Sequence, residues 1–442
     1  MQIKKIIIIF IFLFTINVNA KEAVEVEYTL KVNEKVFNTL SDNNYKTYLG
    51  IENGEVINIK SDEKIEKLYI LYEEKSSQGI ITFNETTLDI GINGFLHEYI
   101  ELKKEATDIT IKYNNEVKIS EIYAYSSGDV PKDVQIWKKH DKVDLMLFST
   151  HSDDEQLFFA GLLPTYVNQD KIVHVVYLVD HANIKGIKNA SRLHEQLNGL
   201  WHSGVNEYPT MGLIPDAYSE SLQVAKKQAE DWGYKEEDIL KEYVTIIRRL
   251  RPYVLVGHDE AGEYGHGQHI YNSYLVKKVL DYINNDNYIT EGYKPYNVQK
   301  VYLHLYEDNK IILDIDKPLD KFNNKTAYDV AKESYKYHIS QQGTWFTAWL
   351  NGNNNSYTNS SQITKYNPNY FGLYYTSVGN DINKNDLLEN VKFITNDVTI
   401  TGNTENIHIK RGTKEFRIVV SVSLVLIFIS IVLLTKFVRR KK

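Results

Sequence analysis

The 442-residue sequence contains no cysteine, which removes disulfide frameworks, thiolate nucleophiles and cysteine-ligated zinc or iron–sulfur sites. Any metal has to sit on His, Asp and Glu. Proline is scarce as well, 8 residues against 33 tyrosines, which excludes a proline-rich disordered chain. Basic residues are in the minority, 51 Lys and Arg against 58 Asp and Glu for a net charge of −7. No basic stripe runs through the body of the chain, so nucleic acid is not an expected partner. Glycine-rich sequences that cradle a dinucleotide or a nucleotide phosphate between a strand and a helix are also missing. What remains is 25% charged and 43% hydrophobic, enough for two or three ordinary domains with a sizeable core.

The apolar residues are not evenly spread. Lys4 and Lys5 precede an apolar run from Ile6 to Ile16 and then Val18-Asn19-Ala20, the pattern of a secretory signal peptide over residues 1–20. Near the other end, Ile418 to Thr435 is an uncharged run of 18 residues. As a helix it would extend ~27 Å, just enough to cross a bilayer core. Lys436, Arg439, Arg440, Lys441 and Lys442 follow it and favour a cytoplasmic tail. The expectation is a single-pass membrane protein with a transmembrane helix at 417–437, a basic tail at 438–442 and its catalytic part outside the cell. With residues 1–20 (+2) and 417–442 (+6) set aside, residues 21–416 carry −15, a poor match to polyanionic partners.

Between these ends the hydrophobic period changes once. From Val24 to about Asp129 short alternating runs such as Lys67-Leu68-Tyr69-Ile70-Leu71-Tyr72 predict an all-β sandwich, bounded here as residues 21–135. It carries no catalytic cluster. After Trp137 come compact apolar runs at 143–148, 174–179, 253–257 and 300–305, of the kind buried on both faces of a parallel sheet. Helical stretches are expected between them at 155–167, 190–203, 238–250 and 270–283. Strand and helix alternating in this way predict an α/β domain with a Rossmann-like, mostly parallel sheet over residues 136–392. The Asn-rich NGNNNSYTNSSQ stretch reads as a surface loop, and 393–416 as a stalk to the membrane.

Two clusters end strands of that sheet. Thr150-His151-Ser152-Asp153-Asp154-Glu155 follows the first, and His258-Asp259-Glu260-Ala261-Gly262-Glu263-Tyr264-Gly265-His266-Gly267-Gln268-His269 follows a later one. A helix N-terminus accounts for one acid but not for His151. His266 and His269, at i and i+3, face the same way if a helix starts there. Two histidines and a carboxylate with an open position are the donor set of a catalytic metal, and a second carboxylate can take a proton from water.

HSDDE after a strand, Arg192-Leu193-His194-Glu195 on the next helix and GEYGHGQH later, in that order, resemble the PIG-L/LmbE family of zinc-dependent N-acetylglucosaminide deacetylases. The likeness covers about Asp141 to Asn390. It implies His151, Asp154 and His269 as metal ligands, Asp153 as general base and His266 as stabiliser of the oxyanion and candidate proton donor to the leaving amine. It further implies Arg192 and Tyr264 as substrate contacts, and Glu155, Glu195 and His258 as support behind the ligands. The cofactor would be zinc, although a His/carboxylate set also admits iron or manganese. The implied reaction is removal of the N-acetyl group from an N-acetylglucosamine-type sugar of a cell-surface glycan or glycolipid, by metal-activated water. The competing expectation is a surface glycan-binding protein with an inactive scaffold. One departure is Ser152, where the family has proline. His181 and His194 are weighed as sugar contacts, His174 and His304 as packing residues, and His338 lies in a late segment, YHISQ, similar to the family's.

Overall fold

The computed structural model describes residues 21–184, 187–188, 190–290, 292–393, 399–401 and 407–408. The expected signal peptide and transmembrane helix lie outside these residues. Among the described residues no helix is long and apolar enough to cross a membrane.

The N-terminal part is one antiparallel sheet of eight strands: β1 (Thr29–Val32), β2 (Lys35–Val36), β3 (Leu49–Ile51), β4 (Ile57–Tyr72), β5 (Gly79–Phe83), β6 (Thr86–Ile90), β7 (His97–Tyr113) and β8 (Val117–Tyr125). Where a sandwich is expected, the strands form one hydrogen-bonded sheet, in which the long β4 and β7 pair with different neighbours along their length. β4 pairs with β1 near Ile57–Lys60 and with β8 near Lys67–Tyr72, and its register against β7 shifts between Lys60 and Lys67. Side-chain parity records the shift: Ile57, Ile59 and Ile65 point into the core before it, Leu68, Ile70 and Tyr72 after it. The irregular stretch does this because it puts an odd number of extra residues, three, first on β4 and then on β7, and alternation has a period of two.

The α/β domain holds a six-stranded sheet in the order β11, β10, β15, β16, β20, β17. Its strands are β10 (Leu145–Ser149), β11 (Val173–Tyr177), β15 (Val254–Gly257), β16 (Lys300–His304), β17 (Lys310–Ile312) and β20 (Tyr370–Thr376). β10, β11, β15 and β16 run parallel, while β20 pairs antiparallel with β16 and with β17. Alternate residues feed two cores: Leu145 and Leu147 of β10 face one, Met146 and Phe148 the other. Burial on both faces is why these strands read as unbroken apolar runs. Smaller pairings surround the sheet: β12 (Val179–Ile184) with β13 (Ile187–Lys188) and β14 (Ile214–Asp216), and β18 (Pro318–Leu319) with β19 (Lys325–Thr326).

Helices α2 (Ser191–His202), α4 (Glu236–Leu250) and α5 (Gly267–Lys278) fall where expected, and α3 (Leu222–Asp231), α6 (Ala327–Tyr335) and α7 (Trp345–Asn351) are additional. The helix expected over 155–167 is corrected: α1 is Leu162–Asn168, preceded by consecutive turns. A helix begun at Glu155 would carry Pro164 in its interior, at a cost of ~3 kcal/mol. Starting at Leu162, after Gly161 at φ 78°, leaves that proline in the first turn, where no N–H is required. Within the segment expected as a stalk, Thr399–Thr401 (β21) pairs antiparallel with Lys139–His140 (β9) and with Ile407–His408 (β22).

The two parts pack together at the start of α2. Tyr69 Oη lies 2.9 Å from His97 Nδ1, and His97 Nε2 lies 2.7 Å from His194 Nδ1. The Leu96 N–H donates to Tyr208 Oη at 3.0 Å. His194 is fully buried in this seam, and burial lowers its pKa to about 4, so it is a neutral packing residue and not a sugar contact.

Candidate metal centre

β10 and β15 are adjacent and parallel, so the segments leaving their carboxyl ends start side by side. The chain passes from β10 to β11 on one side and later to β15 on the other, which makes this the switch point of the sheet, where α/β folds place ligands. The two sequence clusters meet there. Asn272 of α5 ties them by donating to Thr150 Oγ1 at 3.0 Å.

Three ligand atoms converge: His151 Nδ1 to Asp154 Oδ2 is 3.3 Å, His269 Nε2 to Asp154 Oδ2 is 3.3 Å, and His151 Nδ1 to His269 Nε2 is 3.0 Å. Ligands at about 2.0–2.2 Å on a tetrahedral ion stand roughly 3.3 Å apart, so the spacing fits. Tautomers agree with it. Gln268 donates its amide to the Pro215 carbonyl at 3.0 Å, so its Oε1 is the acceptor for His151 Nε2–H at 3.0 Å. That leaves the His151 Nδ1 lone pair facing the centre. His269 Nδ1 likewise donates to Glu263 Oε2 at 2.7 Å and turns its Nε2 lone pair inward. Asp154 and Glu263 outweigh the opposing effect of burial and raise the pKa of His269 to about 10.

Two overlapping groups, His151/His266/His269 and Asp154/His258/His269, also bring ligand atoms within 4.8 Å. Hydrogen bonds disqualify their extra members as donors. His258 Nε2 accepts the Thr150 N–H at 3.0 Å while Nδ1 lies 2.7 Å from Glu263. His266 caps α5, its Nδ1 accepting the Gln268 N–H at 3.2 Å, which puts its single neutral-state proton on Nε2. Burial, reinforced by His151 and His269, lowers its pKa to about 2, so it is neutral.

Asp153 stands beside the ligands with a φ of 156°, a conformation L residues rarely adopt. Its N–H is held by Glu155 Oε2 at 3.0 Å, and Glu155 Oε1 lies 3.1 Å from His338 Nε2. Burial raises the Asp153 pKa to about 7, against the pull of Arg192, whose Nη2 is 3.7 Å away. Arg192 Nη2 also donates to the Ser152 carbonyl at 2.9 Å, and Nη1 lies 3.6 Å from Asp216. Ser152 Oγ donates to Gln196 on α2 at 2.5 Å, a hydrogen bond that fixes this loop without a proline ring. Tyr264, at φ 47° between Gly262 and Gly265, sets its ring 5.5 Å from that of His266. Glu195 is remote from the ligands; its carboxylate accepts the Ser340 N–H and hydroxyl and so secures the segment that carries His338.

Sequence reasoning missed Glu263, Gln268 and Asp216. Glu263 Oε1 also lies 2.6 Å from His304 Nδ1, so one buried carboxylate orients three imidazoles. His304 is therefore more than packing. Asp216, at the end of β14, lies 3.4 Å from His181 Nδ1 and 3.7 Å from His151 Nε2. The signal available for Glu263 was that it is the third carboxylate of the stretch from His258 to His269; Asp216 comes from a separate segment with no neighbouring histidine.

A switch-point cluster of two inward-facing imidazoles and a carboxylate defines an α/β protein with a candidate metal centre. The model of the PIG-L family, GlcNAc-PI de-N-acetylase, matches residues 146–280, so this part of the chain is similar to PIG-L (LmbE) domains. Two relatives are similar over the same kind of span. One is the 1D-myo-inositol 2-acetamido-2-deoxy-alpha-D-glucopyranoside deacetylase 2 of Saccharopolyspora erythraea, 26% identical over 36% of this chain and 63% of its own length. The other is the deacetylase of the same description from Mycolicibacterium smegmatis, 25% identical over 32% of this chain and 54% of its own length. The chain thus spans between about half and two thirds of the curated relatives it matches. Among solved structures, the N,N'-diacetylchitobiose deacetylase of Pyrococcus horikoshii covers 53% of this chain and 84% of its own, with 15% identity and a TM-score of 0.38, too low to carry an argument.

Proposed function

We propose that this chain is a metal-dependent N-deacetylase that removes the acetyl group from an N-acetylglucosamine-type sugar of a cell-surface glycan or glycolipid. The observation that carries the proposal is the triangle of His151 Nδ1, Asp154 Oδ2 and His269 Nε2 with sides of 3.0–3.3 Å, beside a carboxylate held in a rare backbone conformation. The activity named for the relatives, deacetylation of an acetamido sugar on inositol, agrees with it.

His151, Asp154 and His269 would hold the ion, zinc by preference, with iron or manganese compatible with the same donors. A bound ion of this kind polarises a carbonyl and acidifies water. Asp153 takes the proton of the attacking water. As the acetamide carbonyl oxygen gains charge, His266 Nε2–H donates to it. His266 has one proton to offer, because its Nδ1 is committed to the Gln268 N–H. The proton that the amine needs to leave therefore returns from Asp153, which burial equips to hold it near neutral pH. Arg192, between Asp153 and Asp216, and Tyr264, edge-on to His266, would contact the sugar.

Membrane attachment belongs to the same proposal. The apolar runs at 1–20 and 417–437 support secretion and a single membrane anchor with the catalytic domain outside. Protease accessibility on intact cells tests it: the α/β domain should be cleaved and the C-terminal tag protected.

The activity test uses the full chain loaded with zinc. Acetate and new amine should appear from N-acetylglucosaminyl-inositol or chitooligosaccharides, and a chelator should stop both. No chelator-sensitive acetate from any acetylated sugar rejects the deacetylase reading in favour of a glycan-binding protein.

A further inference from the structure

Two large rings at the mouth of the site remain in water. Trp345 is 50% exposed and Tyr218 is 62% exposed. Phe346 and Trp349, on the same helix α7, pack onto the core, whereas Trp345 lies against Phe346 with ring centroids 4.0 Å apart and leaves half of its surface in water. Both rings are continuous with the candidate centre. Tyr218 stands edge-on to His266 with centroids 5.3 Å apart and planes at 87°. On another side Trp345 stands edge-on to Tyr264 at 5.6 Å and 84°, and Tyr264 is itself 5.5 Å from His266.

The backbone under each ring is fixed. Thr344 Oγ1 donates to the Gln341 carbonyl at 2.9 Å and the Gly343 N–H to Thr347 Oγ1 at 3.2 Å, just before and within the turn that presents Trp345. The same segment is anchored through Ser340 to Glu195. On the other side, Gln228 Nε2 donates to the Tyr218 carbonyl at 3.1 Å. These are exposed aromatic faces on supported backbone, which adapt little and cost little ordering entropy when covered.

We propose that Trp345 and Tyr218 are stacking platforms for the sugar rings that flank the reacting sugar, so that the substrate is an uncharged linear oligosaccharide and not an isolated acetamido sugar. The inference rests on the deacetylase reading and names its substrate class. A pyranose with equatorial substituents presents a face of C–H bonds, and such a face packs against the electron-rich face of an aromatic ring. The charge of residues 21–416, −15, favours an uncharged chain over a polyanionic one.

The test measures kcat/KM of the zinc-loaded full chain on chitooligosaccharides from the monosaccharide to the hexasaccharide. The wild type should prefer the longer chains. W345A and Y218A should each lower the hexasaccharide-to-monosaccharide ratio by about tenfold, the scale of one lost aromatic contact. W345F and Y218F, which keep a ring, should retain the ratio. A wild-type ratio near one, or a ratio unchanged in both alanine variants, overturns the proposal. If the wild type releases acetate from none of these sugars, the deacetylase reading fails separately, and tryptophan fluorescence then decides the platform. Quenching by the hexasaccharide that is lost in W345F supports it, and no quenching in the wild type rejects it.

Discussion

Gln268 accepts the Nε2–H of His151 and Glu263 the Nδ1–H of His269, so each imidazole turns its other nitrogen toward Asp154. Replacing either histidine by alanine should therefore abolish stoichiometric metal binding, measured by elemental analysis; full occupancy in His151→Ala would reject the assignment. Asp153→Asn should keep the metal and lower kcat by about 10²–10⁴-fold, the usual reach of a general base. His266→Ala should also keep the metal and lose about 10²–10³-fold, as expected for one oxyanion donor. Proton bookkeeping gives a further test. His269 in the metal-free chain has its pKa raised to about 10, so at pH 7 it is protonated, and an ion arriving at Nε2 must expel that proton. Calorimetric titrations of zinc into metal-free protein, in buffers of different ionisation enthalpy, should show at least one proton released per ion at pH 7.

At the level of elements, the turn from Thr150 to Gly161 is the decisive piece, and it was the least legible in the sequence. Acids after a strand suggested a helix from Glu155, yet Gly161 and Pro164 displace its start to Leu162. The freed residues form the turns that put Asp153 and Asp154 to different uses. Support reaches this turn from far along the chain, through the Glu155–His338 contact of 3.1 Å and the Glu195–Ser340 bonds. Glu195→Ala should remove the charged acceptor of the Ser340 N–H and hydroxyl and cost about 1.5–3 kcal/mol in urea unfolding, with metal content unchanged. An equally stable variant would show that the segment is held by packing alone.

For the whole molecule, the packing of the β domain on α2 is a structural frame behind the site. Below that seam a buried carboxylate, Glu207, lies 2.6 Å from His140 Nδ1 and 3.4 Å from His174 Nδ1. Burial alone would raise its pKa, but the two imidazoles hold it below the ordinary 4.5. A depressed carboxylate contributes stability above its unfolded value and loses it as pH falls through the folded one. Glu207→Gln should therefore lower the melting temperature at pH 7, by the equivalent of about 1.5–3 kcal/mol for hydrogen bonds to a charged group. The gap to wild type should narrow below about pH 4.5. A gap independent of pH would mean that the loss is steric.

The sequence by itself determined the β-then-α/β order, the confinement of any metal to His and carboxylate, and the two clusters that meet at the switch point. Each of these is local: strand periodicity, an absent residue type, and short motifs at strand ends. Tertiary structure decided the rest, because the deciding contacts join residues far apart in the chain. Gln268 against His151, Asp216 against Arg192 and His181, and His338 against Glu155 fix tautomers, charge and backbone conformation only after folding. So too for the parity shift in β4 and β7, where a bulge exists only between paired strands. A residue's type is written in the sequence, but which of its lone pairs is free depends on a hydrogen-bond partner supplied by another element.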